Sequence, residues 1–218
     1  EIHQNLGPRK FRLLLAACCR HACRQAFQGF SWKDQAQAID VLEEVADTGT
    51  GKTALRDFWR TSKSRWNIRD RPELFALHLA LSPTDSEDAL VPCVKAIQET
   101  CRLSEQAAWN QLQRYYDDLA SPPLDVGNFA DAWRTPSVVE LAQAMYESSD
   151  FSGMPRLAEA LVQAGCRHQV VLDHCRDTQA THIRGCWLID AILQDWIATR
   201  SSTRKKPDTT SRGGGRKK

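Results

Sequence analysis

The chain has 218 residues and a mass of 24.6 kDa, with a formal net charge of +2 and 42% apolar residues. This length allows one domain, or two small ones, with a substantial hydrophobic core. No apolar run approaches the ~18 residues of a membrane-spanning helix, and the sequence shows no pattern of a secretory signal peptide. These features exclude a transmembrane helix and predict a soluble protein.

Charge is unevenly distributed along the chain. Residues 200–218 contain eight basic residues and one acidic residue, a balance of +7, so residues 1–199 carry −5. Because this tail lacks aliphatic and aromatic residues, it cannot bury enough surface to become ordered, and we predict that it is disordered. Arg204, Lys205 and Lys206 are its candidates for contact with RNA or DNA; the alternative is a solvated tail without a partner.

Eight cysteines would suffice for four disulfides. However, the chain is long, its pattern is helical and it shows no secretion signal, so a disulfide framework is the weaker interpretation. Free cysteines behave as small buried apolar residues. We therefore predict a reducing, cytoplasmic environment.

Apolar residues recur at helical spacing along almost the whole chain, and no segment sustains the period-two alternation of a strand. In the first predicted helix, residues 9–28, the side chains of Phe11, Leu14 and Cys18 fall within one arc of roughly 100°. Eight further helices are predicted over residues 32–47, 53–61, 72–81, 85–102, 104–119, 154–164, 168–176 and 184–199. One more helix is predicted to begin at residue 135. The prediction is an all-α fold, a compact bundle or array of about nine to ten helices.

Several predicted helix ends carry recognisable signals. Ser31 and Ser104 are suitable N-caps, Pro72 suits the first position of a helix, and Gly165 suits a helix stop. The longest stretch without a helical pattern, residues 120–134, is rich in proline and marks a boundary or linker. We predict an N-terminal helical part over residues 1–120 and a C-terminal helical part over 121–199 packed on it, or one domain over 1–199, followed by the tail.

Three segments carry a resemblance to a known group of sequences. They are residues 10–20 (KFRLLLAACCR), residues 133–147 (WRTPSVVELAQAMYE), and residues 164–187 with their AGC, HCR and HIRGCW motifs. Together they resemble a large paralogous family of uncharacterised planctomycete proteins, in order over most of residues 9–193. The resemblance implies a bacterial origin and an intact helical domain. It implies no activity and no catalytic residue, and it does not extend to the tail.

Residues 46–53 (ADTGTGKT) match the phosphate-binding loop of helicases, with Gly51, Lys52 and Thr53 as candidate phosphate and magnesium ligands. Such a loop must follow a buried strand. Here the preceding residues 40–47 carry charges at helical spacing, and a strand would bury Glu43 or Glu44 within a sheet at considerable cost. We predict a glycine-rich turn between two helices, so that the match is coincidental.

Cysteine and histidine are frequent near the C-terminal end. A zinc site of Cys₃His type is one interpretation, formed by Cys166, Cys175, His182 and Cys186. The alternative places the three cysteines in the hydrophobic core. Cys175 and Cys186 fall on inner helical faces, and Cys166 follows Gly165, where a small apolar residue packs back on the helix end. His182 then hydrogen-bonds the turn before the last helix.

Cations on the first helix are a second candidate site for nucleic acid. They lie opposite the apolar arc and are Arg9, Lys10, Arg12, Arg20 and Arg24. The alternative is a solvated basic face. The pairs Asp117/Asp118 and Glu43/Glu44 are interpreted as helix-surface charges, and no set of nucleophile and base is apparent.

The sequence thus favours a non-enzymatic helical module that binds another protein as an accessory subunit of a larger bacterial assembly. The alternatives are an accessory nucleic-acid-binding subunit, a zinc-stabilised domain and a degenerate nucleotide binder. No cofactor is predicted apart from zinc under the second alternative.

Overall fold

The computed structural model describes residues 2–82, 87–120 and 131–202. Over these ranges the chain forms eleven α-helices and no strand, which confirms the all-α prediction. The helices are α1 (Ile2–Ala26), α2 (Lys33–Thr48), α3 (Lys52–Arg65), α4 (Pro72–Ala80), α5 (Leu90–Cys101), α6 (Glu105–Leu119), α7 (Pro136–Ser148), α8 (Met154–Gln163), α9 (Gln169–Arg176), α10 (Trp187–Ile192) and α11 (Gln194–Ser202).

Helix α1 is the central element of a first hydrophobic core. It packs against α2, α4, α5 and α6. The consecutive residues Leu13, Leu14 and Leu15 are all buried, so this helix is covered on more than one side and the single apolar arc predicted for it is too narrow. A second core contains the buried side chains of α7, α8, α9 and α10.

The loop before α10 connects the two cores. Ile183 belongs to the first core, whereas Cys186 and Trp187, a few residues later, belong to the second. Between them, Gly185 has φ of +91°, and a Cβ atom there would lie 2.6 Å from Leu13 Cδ1 and 2.9 Å from Leu119 Cδ2. The close approach of this loop to α1 and α6 therefore requires glycine at position 185.

Most predicted helix ends agree with the structure. The Ser104 hydroxyl accepts a hydrogen bond from Ala107 N, Pro72 opens α4, and Gly165 adopts a left-handed conformation after α8. Helix α2, however, has Trp32 as its N-cap without a side-chain hydrogen bond, so the predicted Ser31 cap is wrong.

Several predicted helix bounds change. Helix α3, predicted over residues 53–61, continues to Arg65, and α5, predicted from residue 85, begins at Leu90. Helix α1 begins before residue 9, with a non-helical Gly7 preceding Pro8. The predicted helix over 184–199 is two helices, because Leu193 lies between α10 and α11 in a non-helical conformation, and α11 continues to Ser202. Most of the predicted boundary segment, residues 121–130, and of the predicted tail, residues 203–218, lies outside the described residues.

Across the described part of the chain, no helix combines the length and the apolar character that crossing a membrane requires.

Candidate functional site

Four side chains of metal-binding type converge where the two cores meet. Asp118 lies near the end of α6, His174 lies on α9, His182 lies in the loop that follows, and Cys186 is the N-cap residue of α10. One ligand atom from each residue lies within 4.8 Å of the others. We call these four residues the Asp-His-His-Cys group.

Asp118 is the central acceptor of the Asp-His-His-Cys group. Its Oδ1 atom lies 2.8 Å from His182 Nδ1 and 3.5 Å from His174 Nε2, and its Oδ2 atom accepts a hydrogen bond of 2.8 Å from the backbone N–H of Ile183. His174 Nε2 in turn lies 3.2 Å from Cys186 Sγ. These contacts hold α6, α9 and the loop before α10 in one arrangement.

Burial controls the protonation of two members of the group. It lowers the pKa of His174 to about 4, so this imidazole is neutral near pH 7, which is the form that binds a metal. Burial also raises the pKa of the Cys186 thiol well above its usual value, so in the apo protein this cysteine is a thiol. A bound metal ion would reverse that shift because it stabilises the thiolate.

His182 uses only one of its two ring nitrogens. Its side chain is 6% exposed, and the buried Nε2 atom has no hydrogen-bond partner. The rings of His174 and His182 lie edge to face with centroids 4.8 Å apart, and Trp187 packs against His174 at 4.7 Å. A buried imidazole nitrogen without a partner carries a desolvation cost.

The structure places the four predicted zinc ligands in two different locations. His182 and Cys186 belong to the Asp-His-His-Cys group. Cys166 and Cys175 are buried in the second core outside this group, as the alternative interpretation of core cysteines predicts. Cys166 follows the left-handed Gly165, and its N–H donates to Leu161 O across the end of α8.

The zinc site predicted from the sequence includes neither Asp118 nor His174. The interpretation as helix-surface charges is wrong for Asp118 and for Glu43, because these residues are 5% and 4% exposed. The helical position of Asp118 does carry a signal, since Tyr115, Asp118 and Leu119 share the buried face of α6. The pairing with His182, 64 residues away, has no local signature.

The structure shows the predicted helix–turn–helix at residues 46–53. Helix α2 continues to Thr48, Gly49 and Gly51 are left-handed, and α3 begins at Lys52. The three candidate phosphate ligands Gly51, Lys52 and Thr53 are exposed at this turn, which no strand precedes in the described chain. Residues 170–173 (VVLD) resemble the apolar strand ending in aspartate that accompanies a phosphate-binding loop in nucleotide-binding proteins. They lie in helix α9.

The basic face of α1 is not a solvated surface, contrary to the interpretation above. Arg9 binds Asp190 and Asp47, the ammonium group of Lys10 donates to the carbonyl of Leu119, and Arg20 binds Asp40 and Glu43. Arg12 is partly buried, and Arg24 is the exposed member of the set. The candidates Arg204, Lys205 and Lys206 lie outside the described residues.

Asp47 is the centre of a network of ion pairs that includes two of the α1 arginines. The network contains Glu43, Asp47, Arg9, Arg20, Arg184, Tyr146 and Asp190. The carboxylate of Asp47, with 2% of its side chain exposed, binds Arg9 Nε at 3.0 Å and Arg184 at 2.8 Å. It also accepts a hydrogen bond of 2.6 Å from the hydroxyl of Tyr146, a residue of α7. The network thus links α1 and α2 to α7, α10 and the loop that contains Arg184.

Comparisons with protein-family models, with curated proteins and with solved structures gave no match. The class of protein is therefore defined by its own features: an all-α chain with two cores, joined by an ion-pair network and by a buried group that could hold a metal ion.

Proposed function

We propose that this protein is a zinc-stabilised helical domain with a non-enzymatic role, in which the metal ties the two cores together. The observation that carries the proposal is the convergence of Asp118, His174, His182 and Cys186 within 4.8 Å at the boundary between the cores. Both halves of the chain contribute, because Asp118 comes from α6 and the other three residues follow α8.

The donor types fit zinc, as do two of the distances between them, while the full set, spread over 4.8 Å, would have to contract around the ion. Tetrahedral zinc with bonds of ~2.0 Å to nitrogen or oxygen and ~2.3 Å to sulfur separates its ligand atoms by roughly 3.3–3.5 Å. The distances from His174 Nε2 to Cys186 Sγ and to Asp118 Oδ1 are 3.2 Å and 3.5 Å. The distance from His182 Nδ1 to Asp118 Oδ1 is 2.8 Å, and it would lengthen by roughly half an ångström when zinc binds. A thiolate ligand disfavours magnesium and calcium.

A structural role follows from the burial of the group. Structural zinc sites are closed and four-coordinate, whereas catalytic sites keep one position for water or substrate. All four residues of the group are largely buried, and each is supplied by the protein. The eight cysteines are free, which supports a reducing compartment such as the cytoplasm.

The proposal predicts about one zinc ion per chain in purified protein, measured by elemental analysis without added metal. Cys186→Ser and His182→Ala are expected to lose this zinc, because each removes one ligand. Cobalt substitution provides a second readout. The thiolate-to-cobalt absorption band is expected with the wild type and absent with Cys186→Ser.

Cys175→Ser is the matched control. Cys175 is buried in the same core, 11 residues before Cys186, but it lies outside the Asp-His-His-Cys group. The control is expected to retain zinc, whereas the Cys₃His set considered from the sequence predicts its loss. Wild-type protein that binds neither zinc nor cobalt would contradict the proposal.

A second candidate function, protein binding, is favoured by an apolar groove between the start of α4 and α5. Phe75 and Val91 are 42% and 63% exposed there, beside Pro72 and Pro92, in a groove of about 650 Å³. Its polar residues carry two positive and two negative charges, on Arg69, Lys95, Asp70 and Glu99. A surface that carries both signs of charge can pair with a second copy of itself, as a twofold interface requires, so we propose a second copy of the chain as the partner.

Sedimentation of the purified chain tests this second candidate. The wild type is expected to form a dimer, and Val91→Glu to dissociate it by placing a charge in the apolar contact. Val170→Glu is the control, because Val170 is similarly exposed, at 41%, but lies on α9. A wild-type chain that sediments as a monomer at high concentration would exclude the homodimer.

A further inference from the structure

One of the eight cysteines differs from the rest in exposure. Cys101, the last residue of α5, is partly exposed, whereas the other seven are buried. Burial raises the pKa of Cys23 and Cys175 to about 12, which keeps both as unreactive thiols. Cys101 is therefore the position at which a reagent in solution can meet a thiol.

Cys101 has an imidazole within hydrogen-bond reach. Its Sγ atom lies 3.2 Å from His21 Nε2, and His21 Nδ1 lies 2.6 Å from the hydroxyl oxygen of Tyr115. The three residues come from α5, α1 and α6, helices that pack against one another in the first core. This row has the order of a nucleophile, a base and a group that orients the base.

One tautomer of His21 can hydrogen-bond both Tyr115 and Cys101, and in this tautomer His21 accepts a proton from the thiol. If Nδ1 carries the hydrogen and donates to the Tyr115 oxygen, Nε2 presents its lone pair to Cys101. Burial lowers the pKa of His21, and the cations Arg24 and Arg114 lower it further. The ring is thus neutral near pH 7 and able to accept a proton.

The surroundings of the row favour a small anionic reagent. Arg24 and Arg114 are exposed, as is Arg102, the neighbour of Cys101. These cations attract a carboxylate and stabilise a developing thiolate.

We propose that Cys101 is a thiol modification site that forms a mixed disulfide with small disulfides bearing carboxylates, with His21 as the base. The Cys101 sulfur attacks one sulfur of the reagent, a new S–S bond forms, and the S–S bond of the reagent breaks. The thiol proton passes to His21 Nε2, and the other half of the reagent leaves as a thiolate. His21 then releases the proton to that thiolate or, when the leaving thiol is acidic, to solvent. The reagent itself is the oxidant, so the step needs no further reactant.

The test uses the full-length native protein and 5,5′-dithiobis(2-nitrobenzoate), a disulfide with two carboxylates. We expect one thiol per chain to react in a fast phase and the remaining seven only after denaturation. Cys101→Ser should abolish the fast phase, and mass spectrometry should locate the adduct on the peptide that contains Cys101. A fast phase that persists in Cys101→Ser would overturn the assignment.

His21 and Arg24 variants separate an activated thiol from one that is merely accessible. His21→Gln is expected to slow the fast phase at least tenfold, since a positioned base contributes ~10²–10⁴. Should His21→Gln unfold, Tyr115→Phe provides the same test through the orientation of His21, with several-fold slowing expected. Arg24→Gln should slow the reaction with the anionic reagent but not with neutral 2-hydroxyethyl disulfide. Folded His21 or Tyr115 variants that react at the wild-type rate would refute the role of His21.

Discussion

Asp47→Asn is expected to lower the free energy of unfolding by about 3–5 kcal/mol, the usual effect of removing one partner from a buried ion pair. For a chain of this size that loss lowers the melting temperature by roughly 10 °C. Asparagine keeps one acceptor oxygen, but its amide N–H₂ replaces the other and would face a donor, either Arg184 or the pair formed by Arg9 and the hydroxyl of Tyr146. Two largely buried cations would then lose their shared counter-charge. Thermal and urea unfolding followed by circular dichroism provide the measurement.

Asp34→Asn is the control for the Asp47 substitution. Asp34 also pairs with an arginine, Arg65, at 2.8 Å, but both side chains are 50% exposed. Exposed pairs contribute little, so the expected change in the free energy of unfolding is below about 0.5 kcal/mol. If the two variants were equally stable, the Asp47 network would not be a major source of stability.

Gly185→Ala is expected to destabilise the protein by about 2–5 kcal/mol, from two separate causes. The left-handed backbone at this position costs an alanine ~1–2 kcal/mol. The new methyl group would also overlap Leu13 and Leu119, whose side-chain atoms lie at 2.6 Å and 2.9 Å from the ideal Cβ position. Relieving that overlap in a packed core costs a further ~1–3 kcal/mol. Denaturant unfolding of the variant measures the total.

Gly165→Ala isolates the steric part of this effect. Gly165 has φ of +88°, close to that of Gly185, but no atom lies within 4 Å of its ideal Cβ position. Gly165→Ala is therefore expected to lose only the free energy of the left-handed backbone. The difference in the free energy of unfolding between the two variants measures the cost of the overlap at position 185. Equal losses of stability in the two variants would contradict the close approach of the loop before α10 to α1 and α6.

Local patterns predicted much of the secondary structure. The helical spacing of charges in residues 40–47 correctly indicated a helix before the glycine-rich turn, against a motif that suggested a nucleotide-binding strand. The cap at Ser104, the first-turn Pro72 and the stop at Gly165 were also apparent, because each depends on residues within four positions of the helix end.

Charged residues were harder to place. Arg9 and Arg20 on α1 have the spacing of ordinary solvent-facing residues, yet each meets a partner from another part of the chain. Helical periodicity reports which face is apolar but not whether a polar face will be covered by another element. The same limitation hid the contact between Cys101 and His21, which are 80 residues apart.

The sequence by itself determined the fold class, the position of most helices and the burial of most cysteines, because these follow from short-range backbone preferences and apolar spacing. Only the tertiary structure decided which polar groups meet: Asp118 with His174, His182 and Cys186, and Asp47 with its two arginines. The reason is physical. Such groups are stable in the interior only as complete sets, and each set is assembled by the packing of helices that lie far apart in the chain.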